Sequence, residues 1–194
     1  YQETVEALLK GDAQVSGGLA EARQWRAERA SSAAVAPLLG SIKWNQYEPY
    51  NNMCPLYKGT NRSVTGCVAT AMAQVMMYYQ YPKELKATIK AYTAKSYGIQ
   101  IPEISSGATY DWDNMLPDYS KSDYNSAQAD AVAKLMYHCG AAVKMDYGPS
   151  SGANVTPTIL ATYFGYDADL MQDLTRTVFT LQQWMTLDRK STRL

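Results

Sequence analysis

The residue with the clearest chemical potential is Cys67, in Ser63-Val64-Thr65-Gly66-Cys67-Val68-Ala69-Thr70-Ala71. After it, Val68, Ala71, Met72, Val75, Met76 and Tyr79 recur at helical spacing up to Pro82, which predicts a helix over residues 68–81. Cys67 then stands at a helix entrance, where free backbone N–H groups and the positive end of the macrodipole favour a thiolate. Such a sulfur is a nucleophile suited to acyl transfer. Gly66 reads as room for a substrate backbone to pass close by. Ala69, Thr70 and Ala71 are small enough for the first turn to sit deep against another layer. Local physics also allows Cys67 to be a buried thiol filling a small gap, the commoner role of a cysteine in general.

Little else in the chain competes for chemistry. His138 is the sole histidine, and Cys54 and Cys139 are the other cysteines. Three cysteines give either one disulfide with a free thiol or three free thiols. Two-histidine metal motifs are excluded and no close cysteine pair has zinc-ligand spacing, so neither metal nor cofactor is expected. Eighteen Lys plus Arg balance eighteen Asp plus Glu, which leaves no net basic field for nucleic acid. No apolar run approaches the roughly 18–20 residues of a membrane-spanning helix. Residues 1–20 also lack the pattern of a secretory signal. With 46% hydrophobic and 19% charged residues the composition is globular, and 194 residues make one large domain or two small ones. Sixteen Tyr against two Phe suggest wide, wet, ring-lined surfaces.

The elements that would position Cys67 can be read in outline. Residues 1–35 stand apart: a short apolar-faced helix over Glu3–Lys10, a charged helix over Glu21–Arg29, then the small-residue run Ala30–Ala36, a linker or processing site. The same run also fits a plain Ala-rich connection. Residues 38–55, rich in Pro, Asn and Tyr, read as ordered loop. Ile99-Gln100-Ile101 is strand-like, a second helix spans Asn125–Cys139 and stops at Gly140, and a third spans Pro157–Phe164 and ends at Gly165.

The run Gly66-Cys67-Val68-Ala69-Thr70-Ala71-Met72-Ala73-Gln74-Val75-Met76-Met77-Tyr78-Tyr79, closing with Tyr81-Pro82, resembles the active-site helix of the streptopain family of papain-like cysteine peptidases. Trp44-Asn45-Gln46 followed by Pro49-Tyr50-Asn51 is similar to the loop before the family's nucleophile. Tyr110–Pro117 resembles its mid-chain aromatic segment, and Met145–Gly152 its substrate-cleft strand and turn. These four matches keep the family's order and extend from about Val35 to Trp184. The resemblance implies an α+β, papain-like fold and a secreted or cell-surface bacterial enzyme made as a zymogen that cuts proteins or peptides. It also implies roles: Cys67 as nucleophile, Gln46 as side-chain donor to the oxyanion hole, and Ser151 and Gly152 lining the cleft that holds extended substrate. Residues 1–35 would be the end of an inhibitory pro-region and its linker, and residues 36–194 the N-terminal part of the catalytic domain.

A cysteine peptidase also needs a base. The family's His lies in a Gly-His-Ala-like strand, and no such strand occurs here. Papain-like enzymes place it about 130–150 residues after the Cys, which from Cys67 falls past Leu194. His138 reads as a structural or surface residue. It forms no dyad with Cys139, because adjacent helical side chains diverge by about 100°. The expectation is a helical half largely present and a strand-rich half missing, through truncation or processing into a second chain that carries the His. The competing reading is a non-catalytic module binding proteins or glycans through Tyr47, Tyr50, Tyr78, Tyr79 and Tyr81.

Overall fold

The computed structural model describes residues 38–121, 123–171, 174, 176–184 and 186. The expectations for the two leader helices and the Ala30–Ala36 run lie outside the described residues. The chain divides into two compact units: Leu39–Val178, and a smaller one containing Leu38 and the described residues from Phe179 onward. In the smaller unit one helical turn closes with Trp184 N–H donating to the Thr180 carbonyl at 3.0 Å.

The larger unit mixes helices with two small antiparallel hairpins. In order it contains β1 (Leu56–Tyr57), β2 (Asn61–Arg62), α1 (Cys67–Tyr79), β3 (Tyr92–Ala94), β4 (Ile99–Ile101), α2 (Ser126–Ala142) and α3 (Pro157–Phe164). β1 pairs with β2, Leu56 opposite Arg62. β3 pairs with β4, Tyr92 opposite Ile101, and bridges at Ile89–Ile104 and Glu84–Thr109 prolong that ribbon. α1 lies against α2, and their contact is the centre of the core, built from Met72, Met76, Val132, Leu135, Met136 and Cys139.

Four of the six helix boundaries have a local cause. Asn125 caps α2 with a reciprocal box: its side chain accepts from Gln128 N–H while the Gln128 side chain accepts from Asn125 N–H. Thr156 caps α3, Pro157 occupies its first turn, and Gly165 closes it. α1 ends at Gln80 in the left-handed conformation, two residues before Pro82.

The buried face of α1 does not coincide with the apolar spacing read along it. The buried residues are Ala69, Thr70, Met72, Ala73 and Met76, while Val75 is 38% and Tyr79 48% exposed. Ala69 and Ala73 present almost no side chain, so this face admits closer neighbours than one carrying Val75 and Tyr79. The tyrosines are corrected. Tyr50, Tyr110, Tyr119 and Tyr147 are buried and act as the core's large rings, whereas Tyr47, Tyr78, Tyr79 and Tyr81 are exposed.

Gly140 does not stop α2, which continues to Ala142. Its role is clearance. A Cβ there would collide with the hydroxyl of Tyr147 and come within 3.0 Å of its ring carbon Cζ. Replacing Gly by Ala inside a helix ordinarily gains about 1 kcal/mol, but overpacking a filled core costs about 1–3 kcal/mol. Gly140→Ala is therefore expected to destabilise, and to do so less in a Tyr147→Phe background that lacks the colliding oxygen. Urea denaturation of the four proteins measures this; a stabilised Gly140→Ala variant would refute it.

Candidate active site

Three segments meet at the start of α1. The loop around Trp44–Tyr47 is anchored by the Trp44 indole, which donates to the Leu116 carbonyl at 2.8 Å, and by Lys43 N–H donating to Pro117 at 2.8 Å. It is tied to the turn before α1 by Thr65 N–H, which donates to the Gln46 carbonyl at 3.2 Å. The third segment, Gly148–Ser151, holds the same turn from the other end of the sequence. Val64 N–H donates to Gly148 O at 3.1 Å and Ser151 Oγ donates to Val64 O at 2.7 Å. Cys67 is the first residue of α1 and is exposed. It fills no gap.

Two cavities open beside it. One of about 240 Å³ is bordered by Gln46, Tyr47, Val64, Cys67, Ser150 and Ser151. Another of about 340 Å³ shares Gln46, Tyr47 and Cys67 and continues to Asn45, Thr70 and Gln74. The expected trio Cys67, Gln46 and Ser151 thus shares one cavity. Gly152 does not border it. Its N–H and C=O pair with the carbonyl and N–H of Asp146 at 3.4 and 3.0 Å. The Ser151 hydroxyl is also engaged, donating to Val64 while accepting from Gly148 N–H at 3.1 Å. The Asp146 carboxylate accepts from both the N–H and hydroxyl of Ser96, which hold its pKa below the usual carboxylate range.

Gly66 has a different task from the one its sequence suggested. Its φ is +87°, and a Cβ would stand 2.6 Å from both Sδ and Cε of buried Met145 and 3.1 Å from the Ser151 carbonyl. The space beside it is occupied by protein, so Gly66 lets the chain turn into α1 against Met145 and Ser151. Met145 is a residue the sequence reading missed as a determinant of the site. Its carbonyl is held by the Tyr92 hydroxyl at 2.9 Å.

All three cysteines are free thiols. Burial pushes the Cys54 thiol up to about 12 and raises that of Cys139, whose S–H faces Met76 Sδ at 3.7 Å. His138 is buried in α2, its Nδ1 3.1 Å from the Tyr110 hydroxyl. Burial, with the nearby Lys134 charge, lowers its pKa to about 4. It borders neither cavity beside Cys67. Among the described residues no group of three or more His, Cys, Asp or Glu could hold a metal ion.

Comparison with known proteins converges on the same region. Streptopain from Streptococcus pyogenes is 36% identical over 169 residues, which cover 77% of this chain and 42% of streptopain. Active interpain A from Prevotella intermedia, a cysteine protease, superposes with a TM-score of 0.70 at 38% identity over 82% of this chain and 66% of that one. A prointerpain A fragment gives 0.69 at 37% identity over 79% and 50%. The chain therefore spans less than half the length of the streptopain it matches, and its mix of helices and small sheets is shared with interpain A. Residues 44–192, which take in the Trp44 loop, the cysteine-headed helix and the Gly148–Ser151 segment, match the Peptidase C10 family, and to that family this chain belongs.

Proposed function

We propose that this chain is the nucleophile-bearing part of a cysteine endopeptidase. The observation that carries the reading is an exposed cysteine heading a helix and sharing a cavity with Gln46 and Ser151. Cys67 Sγ attacks the carbonyl carbon of a peptide bond. The developing oxyanion is held by the Gln46 side-chain amide and the Cys67 N–H. The C–N bond then breaks, the amine leaves with a proton, and water hydrolyses the thioester. Ser151 and Gly152 serve the substrate side: the Ser151 hydroxyl holds the segment against Val64 in the turn before α1, and Gly152 closes it through its pairing with Asp146.

Proton transfer falls to a histidine supplied by another segment or a second chain. His138 is held by Tyr110 inside the core, remote in role from Cys67. The 194-residue chain alone is accordingly expected to show no peptide turnover, while iodoacetamide labels Cys67 far ahead of Cys54 and Cys139, which burial protects. A fluorogenic protein substrate and mass-spectrometric mapping of the alkylated thiols check both. Turnover by the isolated chain that Cys67→Ala abolishes would overturn the first expectation. Labelling rates for Cys67 must be compared with a small free thiol, because exposure alone separates it from the other two. A Cys67 no more reactive than that thiol would favour the binding-module reading, to which Tyr47, Tyr78, Tyr79 and Tyr81 contribute exposed ring surface.

Secretion, zymogen synthesis and an inhibitory leader over residues 1–35 belong to the same proposal, supported by the likeness to prointerpain A. Processing within Ala30–Ala36 would leave a product beginning near Val35. N-terminal sequencing after brief proteolysis checks it; a first cut between Trp44 and Cys67 would move the boundary.

A further inference from the structure

Two threonines flank the turn into α1, and their side chains meet each other instead of solvent. Thr65 is fully buried and Thr70 nearly so. Thr70 Oγ1 donates to the Gly66 carbonyl at 3.0 Å, and that carbonyl also accepts the Thr70 N–H at 3.1 Å. A hydroxyl has one hydrogen. Since Thr70 gives its hydrogen to Gly66, the 2.8 Å contact between the two hydroxyls has Thr65 as donor. Thr65 N–H, in turn, holds the Gln46 carbonyl at 3.2 Å. The result is a directed chain: Thr65 O–H to Thr70 O–H to Gly66 C=O.

The Gly66 carbonyl and the Cys67 N–H are two ends of a single planar peptide group. With two donors on its oxygen, that plane cannot rotate without breaking buried hydrogen bonds. The direction of the Cys67 N–H is thereby set. Donors on the carbonyl also draw electron density from the amide, so the N–H at the far end becomes a better donor. A threonine bonded to its own i−4 carbonyl is common in helices and by itself signals only local geometry. Here the carbonyl belongs to the peptide whose N–H faces the candidate oxyanion, and a second buried hydroxyl feeds the first.

We propose that Thr65 and Thr70 are positioning residues for the oxyanion site, a hydroxyl relay that aims and polarises the Cys67 N–H while Thr65 N–H keeps Gln46 in register with it. The proposal rests on Cys67 and Gln46 acting as described under the proposed function. Neither hydroxyl is required to touch the reacting atoms.

The test separates oxyanion binding from thiol reactivity and needs no histidine. Acetylglycinal adds to Cys67: the S–C bond forms, the carbonyl π bond breaks, and the thiol proton ends on the new oxygen, which occupies the oxyanion position. Iodoacetamide reacts with the same sulfur by displacing iodide and creates no such oxygen. Removing a whole oxyanion donor costs about 10²–10³-fold in rate. Misaiming one should cost less, so Thr70→Val is expected to weaken the aldehyde adduct about tenfold. Thr65→Val, which leaves the Thr70–Gly66 bond in place, is expected to weaken it about threefold. Thr70→Ser, which keeps the hydroxyl, should stay within about twofold of the parent, and all three should alkylate within about twofold of the parent rate.

An adduct as strong in Thr70→Val as in the parent overturns the relay. So does an equal fall in adduct strength and alkylation rate, which would mean a general structural effect. If Thr70→Val does not fold, Thr65→Val decides alone, and no loss there has the same consequence. A parent chain that forms no adduct refutes the nucleophile reading itself and the relay with it, an outcome distinct from a parent that binds and a variant that binds equally well.

Discussion

Gly66→Ala is expected to remove about 2–4 kcal/mol of folding stability, the sum of a backbone term and a packing term. At φ +87° and ψ 143° the residue occupies a region essentially reserved for glycine, where a side chain costs about 1–3 kcal/mol. The new Cβ also needs room from Met145, whose thioether is adaptable but fully buried, and from the Ser151 carbonyl, which is backbone. Met145 can yield partly, whereas the carbonyl moves only with the backbone of Ser151. Gly107→Ala is the control, since φ there is +82° with nothing within 4 Å of a Cβ. It isolates the conformational term. Urea denaturation of both variants gives the difference. A Gly66→Ala protein within about 0.5 kcal/mol of its parent would show that the turn relaxes freely and that Gly66 is no constraint on Cys67.

The second large effect is acid lability centred on His138. The ring is 6% exposed and its pKa falls to about 4 from an ordinary 6.5, first through burial and then through the Lys134 charge. Above pH 6.5 the imidazole is neutral in folded and unfolded chains alike. Between 6.5 and 4 the unfolded chain takes up a proton that the folded one refuses, so stability falls as pH falls and levels off below 4. A depression of this size corresponds to about 3 kcal/mol over the whole window. His138→Asn keeps a hydrogen-bonding partner for the Tyr110 hydroxyl and removes the titration. Between pH 7 and pH 4.5 the parent should therefore lose markedly more stability than His138→Asn does, as urea denaturation at each pH would show. Parallel pH profiles for the two proteins would mean that His138 charges freely in the fold. Tyr110, its own ionisation pushed up by burial, stays neutral throughout.

These two residues show where local reading ends. That His138 reads as a structural or surface residue was legible from its place inside a predicted helix. That it is a buried, proton-refusing group was not, because the Tyr110 hydroxyl against it comes from 28 residues away. Gly66 was legible as a special position, yet its reason was misread: the atoms that forbid a side chain come from Met145 and Ser151. Gly140 likewise looked like a helix stop, as glycine usually is, until Tyr147 supplied the packing reason.

The sequence by itself determined three helices to within a few residues, the ordered loop ahead of them and the stationing of a cysteine at a helix entrance. Caps and apolar spacing act over a turn or two and need no distant partner. Only the tertiary structure decided which face of α1 is buried. From Cys67 to Tyr79 that helix carries no charge, so apolar residues occur on every side and periodicity cannot choose between them. Packing chose the side with Ala69, Met72, Ala73 and Met76, where Met76 meets Cys139 of α2. The tertiary structure likewise decided that Gln46, Cys67 and Ser151 border one cavity, because the hydrogen bonds joining their segments span tens to more than eighty residues of chain.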